Sequence, residues 1–257
     1  MPGDYEIHLE TQVDATAAQV WDALVTGPGI DSWFMGRTEV EAGAGGTVRT
    51  DLGGFVQEST ITHWEPGRRF GYRSATASDG SFLAIEWLIE GRAGASTVLR
   101  SVGSGFIASA DWDDEYESLK SGGAMYFHSL TEYVTHFAGR TAVPVSAARS
   151  YSGDRKQMWT VINEDLGLPA FIAPGDPVRL TPTGLDALEG VIDYTTLQFL
   201  GVRTADGLYR FFPARGNLVI VGHHLFTRSV HPGQIERSWQ SWLARLFPSP
   251  AEADGLA

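Results

Sequence analysis

The first half of the chain opens on a strict alternation of apolar and polar positions, YEIHLETQV from Tyr5 to Val13, which predicts a strand. The spacing then changes to steps of three and four. Ala17, Val20, Trp21 and Leu24 share one face of a helix that Asp14 or Thr16 can cap, and Gly27-Pro28-Gly29 stops it. Beyond Met35 strand patterns return in TEVE, GTVRTD, FVQESTITHW, RFGYRSATA, FLAIEWLIEGR and STVLRSVGSGF. Glu65-Pro66-Gly67, Asp79-Gly80 and Ala93-Gly94-Ala95 break the series, so an antiparallel meander follows from the short connections. From Asp113 to Phe137, Tyr116, Leu119, Gly123, Phe127, Leu130, Val134 and Phe137 form one stripe, predicting a helix of about 25 residues and roughly 37 Å. That helix can bury its stripe only by lying across the concave face of the sheet, which makes an α+β fold.

The order then restarts. Trp21 and Trp33 are twelve residues apart on either side of a helix break, and so are Trp159 and Phe171. A helix around Asp154–Asn163 precedes strand patterns at VRLTP, LEGVIDYTT, LQFLGVRT, LYRFFPA and NLVIVGHHLF, and QIERSWQSWLARLF closes as an amphipathic helix. Trp21 to Phe106 spans 85 residues and Trp159 to Phe226 only 67, so the second copy has lost a strand or trimmed its loops. The expected organisation is a first domain over 1–139, a linker over 140–150 carrying Pro144, a shortened second domain over 151–248 and a disordered tail over 249–257.

Composition narrows the function. Thirty-one acidic against 19 basic residues give a net charge of −12 over 257 residues, and no basic patch offsets it, so no nucleic-acid partner is expected. The absence of cysteine excludes disulfides, thiol nucleophiles and thiolate metal sites. No apolar run approaches the ~18 residues of a membrane span, and MPGDYEIHLE lacks a secretory pattern, so no membrane insertion and a cytoplasmic location are expected.

Three separated stretches carry a family resemblance: ETQVDATAAQVWDALVTGPGIDSWF, the strand end TVLRSVGSGF and the helix GGAMYFHSLTEYV. Together they resemble the START-like, or SRPBCC, superfamily, in the branch of the activator of heat-shock-protein-90 ATPase. The second half is similar more weakly, through QMWTVINEDLGLPAF, GHHLF and SWQSWLARLF. The resemblance implies a helix-grip fold in two tandem copies, each with an apolar cavity between long helix and sheet. This branch commonly writes Gly-Trp on the closing helix. The second copy keeps the phrase as Ser238-Trp239, whereas the first has Gly122-Gly123. The branch often ends the preceding strand with His-Ser-Gly-Phe, which the first copy writes Gly103-Ser104-Gly105-Phe106 and the second His223-His224-Leu225-Phe226. A missing indole removes roughly 150–250 Å² of side-chain surface, so the first helix either collapses onto the sheet or roofs a larger cavity.

No nucleophile-elbow, P-loop or zinc-helix motif is present, no cofactor is implied, and no metal site is expected. His223 and His224 are adjacent on a strand, point to opposite faces and cannot clamp one ion alone. The acidic run DWDDEYE, Asp111–Glu117, complements the dipole of the helix it opens. Trp33, Phe34 and Met35 follow the helix break and either fold back to plug the sheet edge or form a movable pocket rim. On FLAIEWLIEGR, Leu83, Ile85, Trp87 and Ile89 are assigned to the cavity, with Glu86 and Glu90 outward; a reversed register would put Glu86 inside. The expected lining is Trp33, Phe34, Tyr72, Ile85, Trp87, Gly123, Phe127 and Leu130, with Phe171, His223 and Trp239 in a second-domain cavity.

The leading expectation is a non-catalytic protein that holds a small apolar molecule in its first domain, beside a filled second domain; a homodimer is compatible with it. Two other classes stay open. One is a co-chaperone or other interaction module with a chaperone as partner. The other is an enzyme of the polyketide cyclase or hydrolase kind, with His223, Tyr72 or Glu86 as acid or base.

Overall fold

The computed structural model describes residues 2–227 and 231–249 and divides into two compact units, 1–141 and 142–257. Each is an antiparallel sheet with helices. In the first, strand β1 (Gly3–Val13) leads into helix α1 (Ala17–Val25) and a single helical turn α2 (Gly27–Ile30). Strands β2 (Arg37–Val40), β3 (Thr47–Asp51), β4 (Val56–Glu65), β5 (Arg69–Ser74), β6 (Phe82–Arg92) and β7 (Ser96–Ile107) follow, and helix α3 (Trp112–His136) closes the unit. The sheet order is β1-β7-β6-β5-β4-β3-β2, so each strand of the meander pairs with its successor and β1 adds along β7.

The start of α1 is fixed by Thr16, whose Oγ1 accepts from Gln19 N–H while the Gln19 carboxamide accepts from Thr16 N–H. Gly27-Pro28-Gly29 does not simply end the helix as expected. Thr26 closes α1 and at once caps α2, its Oγ1 accepting from Gly29 N–H, because proline is well suited to a first helical turn.

The second unit repeats the plan: β8 (Val143–Ser150), α4 (Arg155–Leu166), β9 (Pro177–Leu180), β10 (Leu188–Thr195), β11 (Leu200–Thr204), β12 (Gly207–Ala214), β13 (Leu218–Leu225) and α5 (Pro232–Leu246). Its order, β8-β13-β12-β11-β10-β9, matches the first sheet with one strand fewer at the far edge. Asp154 and Gln157 form the same reciprocal cap on α4 that Thr16 and Gln19 form on α1. The expected linker over 140–150 is corrected here. Val143–Ser150 is an eight-residue strand paired along β13, and it stands where β1 stands in the first unit. Val145 and Ala147 alternate inward, and Pro144 is tolerated because β8 is an edge strand. Of the expected tail over 249–257, positions 250–257 lie outside the described residues.

Helix α3 carries Asp113, Asp114 and Glu115 in its first turn, as the acidic run suggested, but its buried residues begin only at Met125. The half ahead of Gly122 roofs the sheet without filling it. Helix α5 is shorter and packs through Trp239, Trp242 and Leu243. The Trp242 indole also donates to Asp165 on α4 at 2.6 Å, tying the closing helix of the second unit to its opening one.

Candidate functional site

In the first unit, the concave face of the sheet and the roof of α3 enclose a cavity of about 320 Å³. Its walls follow from register. Tyr5 lies opposite Gly105, Ile7 opposite Gly103 and Leu9 opposite Ser101, while Ile85 flanks Gly103 from the other side and Trp87 flanks Ser101. These pairs share one face of the sheet, so the inward residues of β1, β6 and β7 form a continuous floor. Gly103 lies between Ile7 and Ile85, and a Cβ built there meets no atom within 4 Å. Above it, Gly122 and Gly123 are equally unopposed. The hollow is bounded by missing side chains on two sides.

Seven aromatic residues line it: Tyr5, Trp33, Phe34, Tyr72, Trp87, Tyr126 and Phe127. Trp33 packs edge-on against Trp87 at 5.8 Å, and Phe34 lies 4.5 Å from Tyr126 between ring centroids. Of the expected lining, Trp33, Phe34, Tyr72, Ile85, Trp87, Gly123 and Phe127 all face this cavity. Leu130 does not; it lies one helical turn too far along α3 and is wholly buried in the core. Trp33 is not a movable rim either. Its indole donates to the Ala23 carbonyl at 2.9 Å, and only 5% of it is exposed, so it is a fixed wall.

Several lining residues had not been singled out from the sequence. Tyr5 was legible as the first inward position of an alternating strand, and Tyr126 as the position one turn after Gly122-Gly123. A glycine inside a strand, as at Gly103, signals a place where something else needs room. Ser59, Gln57 and Ser101 had no such signal, because a small polar residue on an inward face reads like any other strand position.

Among the described residues no Asp, Glu, Lys, Arg or His lines the cavity. Its ionisable groups are tyrosines, and burial holds them protonated. Burial pushes the Tyr5 hydroxyl up to about 12. It takes Tyr72 to about 12 as well, against a smaller opposing effect of the hydrogen bond from Trp87. Tyr126 is raised further by the same cause. Glu86 takes the outward register: its carboxylate accepts from Arg69 at 2.7 Å, and His63 Nδ1 lies 3.5 Å away, in a separate groove on the opposite face of the sheet.

The corresponding space in the second unit is filled. Register places His223 between Val145 and Tyr209, as Gly103 is placed between Ile7 and Ile85. Its ring sits 4.5 Å from Trp239, 4.7 Å from Tyr209 and 5.3 Å from Phe211. His223 and Trp239 are therefore core residues in contact, not the lining of an open cavity; His224 is buried as well. Phe171 is corrected more sharply. It is 93% exposed and lines nothing in the second unit, although its spacing from Trp159 copies that of Trp33 from Trp21. The glycine cap at Gly167 and the loop after it carry the ring out to solvent, where Asp31 and the Trp33 indole bonds hold the first copy inward.

Burial pulls the His223 imidazole down to about 3, with His224 and Arg210 acting in the same direction. Its unfolded value near 6.5 lies above the folded one, so the unfolded chain binds the extra proton first. The contribution to stability is complete above pH ~6.5 and declines as pH falls toward about 3. Between pH 7 and 4 the second unit is expected to lose roughly 3 kcal/mol from this group. Hydrogen exchange of the β12 and β13 amides at the two pH values reads the loss, and His223→Phe should flatten it.

Residues 14–135, nearly the whole of the first unit, match the family described as Activator of Hsp90 ATPase homolog 1-like protein. No curated protein matches the chain in sequence. Among solved structures, the chain is similar to a protein of Mesorhizobium loti at 20% identity, covering 50% of this chain and 95% of that one, with a TM-score of 0.44. The Aha1 dimer of Colwellia psychrerythraea is similar at 18% identity over 51% of this chain and 96% of that one, TM-score 0.43. The di-domain ARO/CYC protein BexL of the BE-7585A biosynthetic pathway is similar at 11% identity over 94% of both chains, TM-score 0.47.

Proposed function

We propose that the first unit, a START-like domain of the Hsp90-ATPase-activator-homologue kind, is a receptor for a small neutral apolar molecule, and that the second unit is its filled structural companion. One observation carries this reading: floor and roof positions that hold His223 and Trp239 in the second unit hold Gly103 and Gly123 in the first, where they leave open space. A cavity of about 320 Å³ lies at the lower end of small-molecule sites. Native mass spectrometry of gently purified full-length protein should show an added mass that is released on denaturation; a chain that never carries or takes up a small molecule would refute the proposal.

The binding reading is favoured over catalysis by where the three candidate acid–base residues fall. Glu86 is on the outer face, His223 is enclosed in the other unit's core, and only Tyr72 reaches the cavity, with a hydroxyl too weakly acidic to serve as a base near neutrality. A chaperone-directed role rests on the family match over 14–135. It predicts stimulation of a chaperone ATPase that persists when the cavity is filled, which separates it from ligand binding in one assay.

A further inference from the structure

The polar groups of the cavity restrict what it can hold, given that it is a binding site as proposed above. The hydroxyls of Tyr5, which is buried, and of Tyr126, which is half-buried, have no hydrogen-bond partner among the described residues. The Tyr72 hydroxyl faces the same hollow and donates to no protein group among the described residues. Ser59 and Ser101 face the same hollow with no protein partner among the described residues. These hydroxyls open onto the hollow rather than being sealed off by protein atoms, so they are available to a molecule held there. What they offer is donors, because a protonated tyrosine in apolar surroundings gains most by giving its hydrogen to an oxygen.

The remaining lining fixes the rest of the chemistry. With no cation in the wall among the described residues, an anionic ligand would be desolvated without compensation, and with no carboxylate among them the same holds for a cation. The long sides are aromatic faces and edges, which favour flat rings at offset or edge contact over flexible chains. We propose that the ligand is a neutral, flat, unsaturated ring compound bearing carbonyl oxygen, held between the aromatic walls with its carbonyl accepting hydrogen bonds from the tyrosine hydroxyls of the cavity.

A matched probe set tests this on the full chain, followed by calorimetry and by quenching of tryptophan fluorescence. Fluorenone and fluorene have the same rings and differ by the carbonyl; fluorenone-4-carboxylate adds a charge; dodecanol supplies an apolar chain. Fluorenone is expected to bind about five- to tenfold more tightly than fluorene, the worth of a good neutral hydrogen bond. The carboxylate should bind at least about tenfold more weakly than fluorenone. Tyr72→Phe and Tyr126→Phe, which keep the ring and remove only the hydroxyl, should reduce the preference for fluorenone over fluorene; a preference that survives both changes would overturn the tyrosine assignment. Equal binding of fluorene and fluorenone, a preference for the carboxylate, or binding of dodecanol alone would overturn the ring-carbonyl assignment and leave a pocket. If no probe binds and no ligand co-purifies, the binding reading itself fails.

Discussion

Gly123→Trp should abolish ligand binding in the first unit while making that unit more stable. Gly123 lines the cavity from α3 and a Cβ there meets nothing within 4 Å, so an indole at this position has room to occupy the space that its counterpart Trp239 fills in the second unit. Affinity for any molecule using the cavity is expected to fall at least about a hundredfold, or roughly 2.8 kcal/mol. Stability should move the other way, because replacing a mid-helix glycine by tryptophan recovers roughly 0.5 kcal/mol of helix propensity and the indole buries apolar surface as well. Calorimetric titration and thermal unfolding of the same preparation read both effects. A variant that still binds would show that ligands enter somewhere other than the space beneath α3, and a strongly destabilised one would show that the roof had no room to give.

The reciprocal change, Trp239→Ala, should damage the second unit severely. Trp239 touches Tyr209, Phe211, His223 and Trp242 at ring distances of 4.5 to 6.5 Å and is only 4% exposed. Truncating a buried tryptophan costs about 3–5 kcal/mol, a large share of the stability of a unit of this size. Hydrogen exchange should show β12, β13 and α5 losing protection together, with the first unit unchanged. A loss under about 1 kcal/mol would mean that the ring cluster relaxes around the void and that the contrast between the two units is weaker than their packing implies.

The strands and long helices were legible because each keeps one period over many residues: alternation in β1 and β6, steps of three and four in α3. The doubling was legible through the twelve-residue spacing that recurs in both halves. What the pattern could not supply was the role of short or small elements. Val143–Ser150 reads as a linker because proline and small residues mask its alternation, and only pairing with β13 shows that it opens the second sheet. Phe171 occupies the same step in the repeat as Trp33 yet faces water, because orientation after a helix break depends on hydrogen bonds such as Trp33 to Ala23 that leave no periodic trace. The site was half visible. Bulky walls such as Trp87 and Phe127 follow from register, whereas the cavity's existence depends on absent atoms at Gly103 and Gly123, and an absent side chain gives no hydrophobic signal.

Neither Gly103 nor Gly123 adopts the left-handed backbone that excludes other residues, and neither is crowded by a neighbour. Both positions therefore accept alanine, valine or leucine without backbone penalty, and each added carbon shortens the hollow by its own width. The depth of this hollow is thus a dimension that single codon changes can set in steps from opposite ends, with the rest of the sheet and its roof untouched.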